Sequence, residues 1–155
     1  MKKKKPGNKG ILIVDEGSRT LRLLKEETRR IGLNYHLERA GTFLQAVDSI
    51  GSGKYDLVIL DFPGIRGPYL LNLAILRDIP IVLLVSADFI PLEAHPLLEK
   101  VKGGLLPREN LSGILPLLKN LLSRKNFSDS FIILEISCKE TGCSIRLSLP
   151  LDSRI

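Results

Sequence analysis

The chain has 155 residues, of which 44% are hydrophobic, 26% charged and only 5% aromatic, with no Trp. That composition suits one globular domain with an aliphatic core and a small extension, long enough to fold without disulfide staples. No apolar run approaches the roughly 18–20 residues of a membrane span, and the long apolar stretch of a signal peptide is missing. A soluble, cytoplasmic protein is expected.

The formal net charge is +6, but Lys2, Lys3, Lys4, Lys5 and Lys9 supply five of the 23 cations and residues 1–10 contain no acid. The rest of the chain sets 18 cations against 17 anions. A Lys-rich arm can touch phosphates or acidic lipids nonspecifically. It is expected here as a solvated tail over residues 1–9, with no specific nucleic-acid partner. The remaining divisions are a domain over residues 10–124 and an extension over 125–155.

From Gly10 onward, short apolar runs alternate with amphipathic stretches. Ile11-Leu12-Ile13-Val14 is continuously apolar, as a strand covered on both faces must be. Ser18 can cap a helix reaching about Ile31, with Leu21, Leu24, Thr28 and Ile31 on its inner face and Gly32 as its stop. Tyr35–Ala40 is more polar and suits a sheet edge. Thr42 caps a helix over Phe43–Ile50 whose Leu44, Val47 and Ile50 point inward, and Gly51-Ser52-Gly53 breaks it. Asp56–Leu60 is a third strand ending at Asp61, followed by a Pro/Gly loop over residues 62–68.

A short helix over Tyr69–Arg77 leads to a fourth strand, Pro80–Val85, closed by Ser86-Ala87-Asp88. A helix over Leu92–Lys100 carries Pro96 and is short or broken. A brief fifth strand follows at Gly104–Leu106. Leu111, Ile114, Leu115, Leu118, Leu121 and Leu122 then mark an amphipathic last helix with Pro116 near its first turn. Strands and helices that alternate in this way build a parallel sheet wrapped on both faces, a doubly wound α/β domain. After Lys125, two alternating runs, Phe131–Cys138 and Cys143–Leu149, flank Lys139-Glu140-Thr141-Gly142 as a β-hairpin. A lone hairpin is marginal in water, so it must dock on the domain or on another chain.

Functional groups of a doubly wound sheet gather at the carboxyl ends of its strands. Those ends present Asp15 and Glu16, Asp61, and Ser86. Three carboxylates can hold a hard cation such as Mg²⁺ through oxygen, and such a cation offsets phosphoryl oxygens during transfer to a carboxylate. Together, Ile-Leu-Ile-Val-Asp15-Glu16, Asp-Leu-Val-Ile-Leu-Asp61, Pro63-Gly64-Ile65-Arg66-Gly67 and Ile-Val-Leu-Leu-Val-Ser86-Ala87 resemble the receiver domain of bacterial response regulators over about residues 10–123. The resemblance implies a five-stranded sheet in the order 2-1-3-4-5. It also implies Asp61 as phosphoacceptor, Asp15, Glu16 and Asp61 as the Mg²⁺ ligands, and Ser86 as the hydroxyl switch residue.

The departures from the family pattern are equally specific. Phe62 runs directly into Pro63, shortening the loop that normally lends a backbone carbonyl to the metal. Glu16 stands where the family prefers Asp. The family's Lys at the end of the fifth strand is missing, its place falling on Pro107 or Arg108. Pro cannot bind a phosphoryl group; Arg can, with a different reach. The aromatic switch residue of that strand is replaced by Gly104 or Leu105.

The hairpin sequence is similar to the closing strands of a histidine-kinase ATPase domain, but has no counterpart of the residues that bind ATP there. Cys138 and Cys143 flank its turn and could approach disulfide distance; in a reducing compartment they are expected as small buried hydrophobes. His36 and His95 are conceivable phosphotransfer histidines, with a structural place as the expected one.

The expected function is therefore non-enzymatic: a receiver-like module whose main work is contact with a histidine kinase, a regulator or its own copy. A homodimer through the hairpin or the fifth-strand face is one form of that contact. The alternative is a receiver phosphorylated on Asp61 with Mg²⁺, and a flavodoxin-like ligand binder or enzyme ranks behind both.

Overall fold

A sheet made of fully apolar strands must have both faces covered, and helices that alternate with the strands do this by crossing over one face and then the other. The computed structural model describes residues 9–62, 64–85, 103–108, 111, 114–123, 132–133, 136–137 and 144–145. Its elements are β1 (Gly10–Val14), α1 (Arg19–Arg30), β2 (His36–Ala40), α2 (Phe43–Gly51), β3 (Leu57–Asp61), α3 (Gly67–Leu76), β4 (Ile81–Val85), β5 (Gly103–Pro107) and α4 (Ile114–Ser123). The five strands are parallel, in the order β2-β1-β3-β4-β5. Every residue of β1, β3 and β4 is buried, which is why these runs carry no polar alternation.

Alternate strand residues feed two cores. Leu12, Val14, Val58 and Leu60 pack with Ala46 and Ile50 of α2 and with Leu70, Leu71 and Ala74 of α3. Ile11, Ile13, Leu57 and Ile59 pack on the other face with Leu24 of α1 and with Ile114, Leu118 and Leu121 of α4. At the start of β5 the backbone lies so close to β4 that a Cβ on Gly103 would collide with the carbonyl oxygen of Ile81. Only glycine fits there.

Two helix faces differ from the sequence expectation. Leu44 is 77% exposed rather than inward. Thr42 accepts a hydrogen bond from the Gln45 N–H at 3.2 Å and so fixes where the helix starts. That phase turns Phe43 and Val47 toward the core, and Phe43 meets Tyr69 edge-on with 5.3 Å between ring centroids. Ile31 lies just past the last turn of α1 and is 41% exposed, while Thr20 is buried instead.

The carboxy-terminal region also differs. A sixth strand, β6 (Ile132–Ile133), adds parallel to β5 with Gly104 opposite Ile132. β7 (Ile136–Ser137) and β8 (Ser144–Ile145) then form a separate antiparallel pair with Ile136 opposite Ile145. The first arm of the expected hairpin is thus divided between two sheets. The outer edge of β5 offers unpaired backbone groups, and β6 pairs with part of it, opposite Gly104 and Leu105. The turn at residues 139–142, Cys138, Cys143, Ser86, His95, the helix expected over residues 92–100 and the tail at residues 1–8 lie outside the described residues.

Candidate functional site

Asp15 is the first residue beyond β1. Its carboxylate folds back onto the start of α1, where Oδ1 accepts the Gly17 N–H at 3.1 Å and Oδ2 accepts the Thr20 hydroxyl at 2.9 Å. Ser18 occupies the N-cap position, but its side chain makes no capping bond. Asp15 instead ties the turn before α1 to the Thr20 hydroxyl in its first turn, near the positive end of the helix, which favours a negative charge. Glu16 is exposed. From the neighbouring strand, Arg39 lays its guanidinium across this turn, and Nη1 donates to the carbonyl oxygens of Asp15 and Glu16 at 3.0 Å each.

Asp61 is the last residue of β3 and is 8% exposed. Its Oδ1 is buried and makes no hydrogen bond, although Arg108 Nε forms an ion pair with it at 3.2 Å. Burial pushes the Asp61 carboxyl above the ordinary carboxylate range. Arg108 pulls it back, and the charges of Asp15 and Glu16 add to the rise. Downstream, the Gly64 N–H donates to the Asp61 carbonyl at 3.1 Å and turns the loop toward α3. Gly67 opens that helix pressed against the carbonyl of Phe62, where no side chain fits. Between them Arg66 adopts a left-handed backbone, φ 38°, and its guanidinium lies 4.9 Å above the Phe43 ring.

Asp15, Glu16, Thr20, Asp61 and Arg108 line one cavity at the carboxyl end of the sheet. The fold therefore brings together the acids singled out in the sequence. Of the two residues at the position of the family's Lys, Pro107 closes β5 and Arg108 reaches Asp61. Among the described residues, no three acids, histidines or cysteines converge closely enough to hold a metal ion. Asp15 accepts from Gly17 and Thr20, and Asp61 faces a guanidinium. As a donor set, Asp15, Glu16 and Asp61 suit a hard cation, which takes carboxylate oxygens; as arranged, they do not yet converge on one.

Thr20 and Arg39 were not legible as site residues. Thr20 reads as one more position on a helix, and Arg39 acts from an exposed edge strand 24 residues from the turn it holds. His36, a candidate for phosphotransfer, pairs with Glu38 at 2.7 Å on the exposed edge strand. Tyr55 also donates to Glu38, and burial together with that carboxylate pushes the phenol up to about 12.

A doubly wound sheet in the order 2-1-3-4-5, with acids at the ends of its first and third strands, defines a receiver-type fold. The chain is similar to the response regulator protein TrrA from Thermotoga maritima, solved in complex with Mg²⁺ and BeF. The two are 31% identical over 74% of this chain and 99% of that one, with a TM-score of 0.57. TrrA has also been solved with the histidine kinase ThkA, and this chain matches that structure at 30% identity over the same shares, TM-score 0.58. A response regulator from Hahella chejuensis has the same fold, with a TM-score of 0.64 at 19% identity over 78% of this chain and all of that one. No family model and no curated protein matches the chain. The chain belongs to the CheY-like receiver domains of response regulators. No helix among the described residues is long and apolar enough to cross a membrane.

Proposed function

We propose that this receiver domain is a cytoplasmic two-component signalling module that works chiefly by protein contact, as a pseudo-receiver, and turns over no substrate of its own. The observation that carries this reading is the commitment of its acids. Arg108 pairs with one of the two Asp61 oxygens, and both Asp15 oxygens already take donors, from Gly17 in the turn before α1 and from Thr20 in its first turn. Mg²⁺ held by Asp15, Glu16 and Asp61 would compete with Arg108 for Asp61 and with the Gly17 and Thr20 donors for Asp15. The partner is a histidine kinase, a regulator or a second copy of the chain. The complex of TrrA with ThkA supports a kinase as the first candidate. With β6 lying along β5, a homodimer on that side would use the helix-covered face rather than the strand edge.

A second reading, a switch phosphorylated on Asp61, is favoured by the burial of that carboxylate in a cavity shared with two other acids. In it, Asp61 accepts the phosphoryl group, Arg108 takes up the place of the family's Lys beside it, and Ser86 is the hydroxyl that follows β4. Bound Mg²⁺ would supply the positive charge that offsets the phosphoryl oxygens.

An amide NMR titration with Mg²⁺ and then beryllofluoride separates the two. The pseudo-receiver reading expects no saturable shifts at millimolar Mg²⁺. Saturable shifts at Asp15, Glu16 and Asp61, spreading toward Ser86 with the mimic and lost in Asp61→Ala, would overturn it in favour of the switch.

A further inference from the structure

Two of the three acids lining the cavity have companions, and the companions are of different kinds. The Asp15 carboxylate accepts from the Gly17 N–H and the Thr20 hydroxyl, both neutral. An ionised carboxylate offers about four lone-pair sites on its two oxygens, so competition from two neutral donors is the weaker kind. At Asp61 the companion carries a full charge, with Arg108 Nε 3.2 Å from Oδ1. A neutral donor and a divalent cation can share one carboxylate, whereas a guanidinium and a divalent cation repel each other across it.

The fold delivers that guanidinium from a distance. Asp61 is level with Leu84 of β4, and Leu84 with Leu106 of β5. Arg108 therefore starts two strands across and two residues beyond the row of Asp61, just past Pro107, which closes β5. Strands lie about 4.8 Å apart, so the gap is closed by a long side chain laid over the end of the sheet. The side chain of Arg108 is half-exposed, that of Asp61 is buried, and Oδ1 makes no hydrogen bond. The pair is held by charge, and charge is what a second cation would have to overcome. Arg19 lines the same cavity from the first residue of α1, which gives a cation of equal charge against which to measure Arg108.

We propose that Arg108 is a built-in counter-ion that excludes divalent cations from this cavity, and that removing its charge turns Asp15, Glu16 and Asp61 into a Mg²⁺ site. Charge competition at Asp61, and not the spacing of the acids, then closes the cavity. Glu16 is exposed and reaches inward by rotating its side chain. The inference deepens the pseudo-receiver reading and rests on it for the closed cavity of the wild type.

The test is a Mg²⁺ titration of the full chain, followed by the amide shifts of Glu16 and Asp61 at fixed pH and ionic strength. The wild type is expected to show no saturable shift at millimolar Mg²⁺. Arg108→Ala is expected to saturate, with a Kd at least about tenfold below the highest concentration the wild type ignores. About tenfold is the repulsion of one charge on a divalent cation about 5 Å away at the screening of bulk water, and drier surroundings raise it. The urea midpoint of Arg108→Ala should also rise with Mg²⁺ while that of the wild type does not. Arg108→Lys, which keeps the charge, should stay closer to the wild type than to Arg108→Ala. Arg19→Ala takes the same charge from the cavity and leaves the ion pair at Asp61, so salt screening should hold its gain below about threefold. Arg108→Gln reads the same loss of charge should Arg108→Ala fail to fold.

If neither the wild type nor the Arg108 variants bind, the inference is overturned and the pseudo-receiver reading stands, with the cavity closed by the spacing of its acids. An equal gain in Arg19→Ala overturns it as well, because any lost cation then suffices. Saturable binding by the wild type overturns the pseudo-receiver reading, and Arg108 remains the competing cation only if Arg108→Ala still binds about tenfold more tightly.

Discussion

The carboxyl ends of β1 and β3 are neighbours, with Val14 paired to Leu60, yet their aspartates are held in opposite ways. Asp15 stands one residue past its strand and is free to turn back, so its oxygens find donors in the turn before α1, at Gly17, and in its first turn, at Thr20. Asp61 is still inside its strand, paired with Leu84 of β4, and stays in the sheet. Its Oδ1 is buried with no hydrogen bond, and its companion is a half-exposed guanidinium. A carboxylate with its bonds filled stabilises the fold around it, whereas a desolvated one costs free energy while it keeps its charge. One residue of strand length thus separates an acid whose two oxygens are hydrogen-bonded from one with a buried oxygen that makes no hydrogen bond.

The contrast extends to the loops, and the sharpest way to break it is with methyl groups. A Cβ on Gly67 would collide with the Phe62 carbonyl directly after Asp61, whereas one on Gly17 would meet Asp15 Oδ1 at an ordinary 4.0 Å. Gly67→Ala should cost about 3 kcal/mol through backbone displacement, while Gly17→Ala stays within about 0.5 kcal/mol of the wild type. Urea unfolding measures both. Equal effects would mean that the two loops are equally tolerant and the contrast ends at the acids.

Much of this was readable in the sequence for a single physical reason. Parallel strands buried on both faces are continuous apolar runs, so β1, β3 and β4 announced themselves, and the acids at their ends came with them. Leu44 and Ile31 were misplaced because the phase of a helix depends on its first residue. A cap bond at Thr42 or a stop at Arg30 turns a borderline apolar residue outward. The division of the hairpin by β6 could not be read, because pairing with β5 depends on an open sheet edge and not on local alternation. Arg108 was one of two alternatives, and only the path of the chain after Pro107 decides that it is the residue facing Asp61.

Replacing the two acids should move stability in opposite directions. Asp15→Ala removes the acceptor of both the Gly17 N–H and the Thr20 hydroxyl, a cost of about 1–2 kcal/mol. Asp61→Asn should stabilise the fold by about 1 kcal/mol at neutral pH, losing only an ion pair to a half-exposed arginine. The pH dependence follows from the sign of the shift. The Asp61 carboxyl is raised in the folded state, chiefly by burial, so the folded protein holds that proton more tightly than the unfolded chain does. The stability this gives is fully present below the unfolded value of about 3.9 and is lost as pH rises through the raised folded value. The advantage of Asp61→Asn should therefore be widest at pH 7 and close as pH falls toward 4. An advantage that persists unchanged at low pH would show that the asparagine gains from new bonds and not from relief of a buried charge.

The smallest effect concerns what holds the β1 end from outside. Arg39 reaches from the edge strand to two carbonyls of the turn, and a Cβ on Gly41 would press on its Nη1. Those bonds are exposed to water, so Arg39→Ala should cost only about 0.5 kcal/mol. The loss should nonetheless be local. The Gly17 amide, bonded to Asp15 Oδ1, should exchange severalfold faster while amides around Asp61 are unaffected. Gly41→Ala should reproduce that pattern, because the added methyl displaces the guanidinium without removing it. If both variants loosen the β1 turn and leave β3 untouched, the two acid-bearing ends are held independently, one by an outer arginine and the other by the sheet itself. If exchange near Asp61 rises as well, the two turns form one mechanical unit across the cavity, and a partner that grips Arg39 on the edge strand could alter the surroundings of Asp61.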